Sequence, residues 1–319
     1  MTRLGFLGVP AFFIISGYMI FESSRKRSAE EFFVFRFSRL FPAYLFSIAM
    51  TLSVSAYGFR LKSNYLTTLV ATLTLSQSPL HLISLQGSYW TLWVEIRFYL
   101  LFLIFGIYLS RKRSYDRRVL IFSALWLFAS ILYYPNYVNH STIPETNLIS
   151  LVMPNFASFF LLGCFSAMAR EKDKRVAVSP FLFMSLVLSF LQIENWIKSW
   201  DLHWKEDLYL GLSIFFLIAI MVLVRLDISV SKEKVQNLFG LIGKSSYCFY
   251  LLQEGFSMPL ISFAVNRLGW HLGESFFAAL LITISISIIF VYFVEDPISR
   301  RLRIVFSRSL SSFSSSAFG

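Results

Sequence analysis

The sequence predicts an all-α, polytopic integral membrane helical bundle, with about nine spans plus one re-entrant or short helix. Three observations predict it. Of 319 residues, 56% are hydrophobic and only 15% charged, more apolar surface than a soluble domain can hide. The apolar residues gather in repeated runs of roughly 20, the length that crosses ~30 Å of hydrocarbon. Lys and Arg concentrate between alternate runs, the asymmetry that membrane insertion imposes.

The expected spans are residues 4–21, 40–59, 89–109, 119–134, 149–169, 178–193, 207–226, 241–264 and 275–294. Only Arg3 precedes the first, and no small-x-small cleavage site follows it, so it does not read as a signal peptide. The run 65–78 is short and rich in Thr and Ser, and reads as a re-entrant or interfacial helix. With that run turned back, the loops 22–39, 110–118, 170–177, 225–240 and 295–319 fall on one side and hold most of the 29 basic residues. A full crossing there would dissolve the asymmetry. The basic loops are therefore expected in the cytoplasm, and the loop 135–148, which has no Lys or Arg, outside. Nine spans with a cytoplasmic C-terminus put Met1 outside; a further span ahead of it would bring both ends in.

Pro154, Pro180 and Pro259 fall near span ends or at tolerated kinks. After Pro297, residues Ile298, Leu302, Val305 and Phe306 share a helical face, with Arg300, Arg301, Arg303 and Arg308 largely off it. That pattern suits a short helix lying on anionic lipid. Residues 1–306 form the expected membrane domain, and 307–319 a Ser-rich, disordered cytoplasmic tail. The net charge of +11 is then the charge of basic loops, and nucleic acid is not an expected partner; membrane lipid is. Cys164 and Cys248 lie inside apolar runs and are expected as packed free thiols. No metal-ligand spacing, nucleotide loop or Ser-His-Asp order is visible, and no metal is expected.

Three segments carry candidate chemistry. In Trp90-Thr91-Leu92-Trp93-Val94-Glu95-Ile96-Arg97-Phe98-Tyr99, the ionisable Glu95 and Arg97 interrupt a span, a costly placement kept for function or for pairing. Two residues apart on a helix, they point to nearly opposite faces, which disfavours a direct pair. Ser16-Gly17 is a small pair inside the first span, suited to close helix approach or to a site. Arg36 and Arg39 share a helical face at the cytoplasmic mouth of the second span. They suit either a bidentate grip on phosphate or ordinary positive-inside anchoring.

Together with Gly5–Ile20, these segments resemble the membrane-bound acyltransferase-3 family, which includes bacterial O-antigen and exopolysaccharide O-acetyltransferases. Further matches follow in order: Gly243-Lys244-Ser245-Ser246-Tyr247-Cys248-Phe249-Tyr250-Leu251-Leu252, Phe293-Val294-Glu295-Asp296-Pro297-Ile298, and Arg300-Arg301. The resemblance implies transfer of an acyl group, usually acetyl from acetyl-CoA, to a sugar hydroxyl of an envelope glycan or its lipid-linked precursor. It implies a multi-pass protein of the bacterial inner membrane, with acetyl-CoA as donor substrate and no permanently bound cofactor. Arg36 and Arg39 match the element associated with the acyl donor, and Glu95 the carboxylate of the Trp-Ser-Leu-x-x-Glu element, with Thr91 in place of Ser. Trp90, Tyr99 and Ser16 are the candidate substrate-contacting residues.

Departures from the family pattern keep a rival reading open. The family's Arg-x10-His span, bearing the His regarded as catalytic base, is not matched by the sequence from Met1 onward, and Gln253 stands where the family usually has His. His81, His140, His203 and His271 all fall in expected outward loops. The rival is a non-catalytic truncated relative, or a binding or transport partner of glycan assembly.

Overall fold

The computed structural model describes residues 7–25, 27–58, 65–77, 82, 84–104, 115–139, 152–199, 206–225, 233–302 and 304–306. Every regular element among them is helical: α1 (Gly8–Ser24), α2 (Ala29–Gly58), α3 (Tyr65–Leu73), α4 (Tyr89–Leu101), α5 (Tyr115–Asn139), α6 (Pro154–Met168), α7 (Lys172–Ser199), α8 (Glu206–Arg225), α9 (Glu233–Leu252), α10 (Met258–Leu268) and α11 (Leu272–Phe290). π-Helical turns occupy Gln253–Ser257 and Val291–Glu295. Among the described residues, five stretches are long and apolar enough to cross a membrane: Ala29–Val54, Tyr115–Pro135, Lys172–Lys198, Gly240–Leu268 and Leu272–Phe306. Pro154–Met168 and Leu208–Val222 are shorter apolar helices. The protein is an all-α, multi-pass membrane protein.

Individual elements depart from the expected ones. The span at 241–264 is two helices joined by a π turn. α2 starts at Ala29, eleven residues before the expected span at 40–59, so Arg36 and Arg39 lie on the same helix as that span. α3 has nine residues, or about 13 Å at 1.5 Å per residue, too short to cross. Residues 135–139 of the expected outward loop at 135–148 continue α5, and its remainder, the expected tail at 307–319, and His81, His140 and His203 lie outside the described residues.

The chain forms two compact units, Met1–Phe32 with Thr91–Ile228, and Phe33–Trp90 with Ser229–Gly319. In the first, α6 is the central helix. It starts with Pro154 in the first turn, where a missing N–H costs nothing, and every residue from Ala157 to Met168 is buried. A helix apolar all round has no face to give to water. Lipid tails are as apolar as Leu, so close backbone approach and dispersion, not the hydrophobic effect, hold such helices together. Two glycines permit that approach. A Cβ on Gly17 of α1 would run into the Phe160 carbonyl of α6, and one on Gly163 of α6 into the Ile14 carbonyl of α1. Beside them Phe160 stacks on Phe98 at 3.9 Å and meets Phe13, tilted, at 4.6 Å between ring centres.

An ion-pair network closes one end of this unit. The Arg25 guanidinium lies 3.1 Å from Asp116 and also donates to Glu171, while Lys174 bonds both carboxylates. The end of α1, the start of α5 and the α6–α7 junction therefore lie together. These are three of the basic loops that the charge pattern assigns to one side. Partial burial pushes the Glu171 carboxyl up, but the Lys174 hydrogen bond and the Arg25 charge outweigh it and hold it below its ordinary value.

In the second unit, α3 ends and α4 begins near the middle of α2. The Tyr44 hydroxyl donates to the Thr72 carbonyl at 2.6 Å, and Ser47 and Tyr89 hydroxyls bond at 2.9 Å. Phe46 of α2 stacks on Phe290 of α11. Gly269, at φ 70°, ends α10 in the left-handed conformation that glycine adopts freely, and His271 leads into α11.

Candidate active site

Glu95 and Tyr99 lie one helical turn apart on α4, hence on one face, and Ser16 of α1 meets that face. Ser16 donates to Glu95 Oε1 at 3.1 Å, and the Tyr99 hydroxyl donates to the same oxygen. All three side chains are buried, Glu95 with 3% of its surface exposed. Ser16 is nine residues from Arg25, so the carboxylate sits about 13 Å in from the charged end of the unit. The Phe32 ring closes edge-on against Tyr99. The Ser16-Gly17 pair thus does two things: glycine admits α6, and serine turns the other way to hold Glu95. Arg97 places its guanidinium 5.3 Å above the Trp93 ring, its partner one turn back.

Arg36, Arg39 and Trp90 belong to the second unit. Arg36 is buried, with 6% of its surface exposed, and lies against the Phe35 ring. A guanidinium so enclosed is packed within the protein rather than spread on its surface. The Arg39 and Lys244 charges both fall on Glu295, a buried carboxyl in the π turn after α11. Lys244 bonds Asp296 at 2.7 Å, and Ser299 donates to the Ser38 carbonyl at 2.5 Å. Three motif segments distant in sequence, around Arg36, Lys244 and Glu295, therefore share one place in this unit. Trp90 is half-exposed, directly after the buried Tyr89.

Reasoning from the sequence did not assign roles to Lys244, Glu295 and Asp296. The available signal was the one that found Glu95, an ionisable residue inside an apolar run. Of the four histidines only His271 is described. It precedes the first turn of α11, where its backbone N–H donates to Glu274, the arrangement of a helix cap. Among the described residues no group of His, Cys, Asp and Glu is placed to hold a metal.

The acyltransferase-3 family model, described as an acyltransferase domain, matches residues 1–294. The chain belongs to the acyltransferase-3 family. No curated protein and no solved structure gives a significant match. The family and the helical spans together make this chain a multi-pass membrane acyltransferase. The six motif segments quoted from the sequence all begin within the span of that match or just beyond its end.

Proposed function

We propose that this acyltransferase moves an acetyl group from acetyl-CoA to a sugar hydroxyl of a bacterial surface polysaccharide such as O-antigen, working in the inner membrane. The observation that carries the reading is the buried Glu95, fixed by two hydroxyls well inside the first unit. A sugar hydroxyl attacks a thioester poorly until its proton is removed. In the proposed step the hydroxyl oxygen bonds the thioester carbonyl carbon as its proton passes to the Glu95 carboxylate. The resulting oxyanion collapses, the C–S bond breaks, and CoA leaves as thiolate, which recovers the proton. Tyr99 and Ser16 hold Glu95 in one rotamer, so little reorganisation is needed at the moment of transfer.

Arg36 and Arg39 are assigned to the phosphates of the donor. Guanidinium forks match phosphate oxygens two at a time, and the rigid helix sets their spacing. Glu295 lies within the field of Arg39 and offsets part of its charge when no donor is bound.

The test uses the full chain in lipid nanodiscs, acetyl-CoA labelled in its acetyl group, and envelope polysaccharide stripped of its esters by mild base. Label should move to the polysaccharide and be released again by mild base, in step with the appearance of free CoA thiol. Release of thiol with no labelled polysaccharide overturns the acceptor; neither product overturns the donor.

A further inference from the structure

A second carboxylate stands where lipid does not admit one. Glu254 is at the centre of the 29-residue stretch Gly240–Leu268, yet its side chain is exposed, as is that of Gln253. From there either end of the stretch is about 20 Å away along the helix, far beyond the reach of a glutamate. A carboxylate at that depth faces a polar cavity, not acyl chains.

The backbone around it says the same. Gln253–Ser257 is a π turn, and the non-helical residues 84–88 meet it. Irregular backbone at membrane depth survives only when buried in protein or lining a water-filled cavity. Here the irregularity is secured from one side. Gln86 accepts the Gly255 N–H at 2.7 Å and donates to the Leu251 carbonyl at 3.1 Å and to Thr51 at 3.3 Å. Glu254 in turn accepts the Ser88 N–H at 2.6 Å. Gly87 makes room for it, since a Cβ there would lie 2.8 Å from the carboxylate. The carboxylate is thus pinned to one wall while the rest of the side chain is left uncovered by protein.

Such a group recognises hydroxyls. Two neighbouring sugar hydroxyls can donate to one carboxylate, and the apolar face of a pyranose packs on an indole such as that of Trp90, two residues past Ser88 and half-exposed. The same charge repels the phosphates of a CoA ester. We propose that Glu254, with the Gly87–Ser88 backbone, forms a hydrated subsite that binds the sugar acceptor, an assignment that rests on the glycan reading above.

The experiment uses the full chain in nanodiscs and two readouts independent of catalysis. The Glu254→Cys variant should react with a membrane-impermeant thiol reagent, the native Cys164 and Cys248 being buried. The Leu281→Cys variant, altered at an exposed position in the middle of α11, should stay unlabelled. De-esterified envelope polysaccharide, titrated calorimetrically, should bind the parent and bind Glu254→Gln about 10- to 100-fold more weakly, the loss expected for a charge-assisted hydrogen bond. Acetyl-CoA binding should not change. No labelling of Glu254→Cys, no binding by the parent, or equal binding by the parent and Glu254→Gln overturns the subsite. If binding follows Glu254 but the parent transfers no acetyl group, the transfer reading fails and the subsite stands.

Discussion

The two units solve the problem of polar groups in an apolar bundle in opposite ways. The first packs tightly: Gly17 and Gly163 let α1 and α6 touch backbone to backbone, and Glu95 is enclosed between hydroxyls of α1 and α4. The second is irregular where its carboxylates sit: two π turns interrupt the last helices, and side chains such as Gln86 satisfy the freed backbone. Each π turn of that unit carries a carboxylate, Glu254 exposed and Glu295 buried. Regular packing holds a single group in one geometry. Irregular backbone opens space beside the chain, and space is what a bulky substrate requires.

The largest expected effect tests the enclosed carboxylate. Glu95→Gln keeps shape and hydrogen bonding but removes basicity, and should lower acetyl transfer by about 10²–10⁴-fold with protein abundance nearly unchanged. Equal glycan acetylation by the Gln variant would reduce Glu95 to a structural polar group.

Next comes the cationic pair of the second unit. Arg36→Ala and Arg39→Ala should each weaken acetyl-CoA binding by roughly 10- to 150-fold, the loss of a charge-assisted contact worth about 1.5–3 kcal/mol. Arg36→Ala should also lower thermal stability, because Arg36 is enclosed and Arg39 only half-buried. Unchanged donor binding by both would return the pair to anchoring.

The backbone-to-backbone glycine contact is the next test. Gly17→Ala and Gly163→Ala put a methyl group against a backbone carbonyl that cannot swing away, and should cost about 1–3 kcal/mol. Gly243→Ala in α9 meets nothing within 4 Å and should be neutral. Thermal inactivation in nanodiscs distinguishes them, and equal midpoints for all three variants would show that the helices yield.

The smallest effect lies in the ion-pair end. The folded Glu171 carboxyl titrates below its unfolded value of roughly 4.3, so its stabilisation is full above about pH 5 and is lost as pH falls through the lower folded value. Its side chain is 31% exposed and its pairs lie at the surface, so Glu171→Gln should cost no more than about 1 kcal/mol at pH 7. The variant should also flatten the acid limb of the midpoint-against-pH curve; an unaltered limb would assign the acid response elsewhere.

Much of this was legible in the residues alone, because the bilayer imposes one-dimensional rules. A solvent that cannot hydrogen-bond forces helices, sets their length and charges their cytoplasmic ends, and each demand is written locally in composition. Glu95 stood out for the same reason: a lone carboxylate in an apolar run is conspicuous without any partner being known. The sequence likewise marked 65–78 as too short and too polar to cross, and α3 is indeed a nine-residue helix.

Partners were another matter. Tyr99 is one turn from Glu95, but nothing local says that Ser16, 79 positions away, bonds it too, or that Gln86 crosses to Gly255. The same holds for the interruption at Gln253–Ser257, where the sequence reads as one continuous span. A π turn depends on an outside group to satisfy the backbone it frees, and that group comes from a distant part of the chain. Hydropathy and charge determined that the chain is a helical membrane protein and which residues were out of place. Only tertiary packing decided which of them meet, because a hydrogen bond between helices depends on where two backbones pass, and no single helix carries that information.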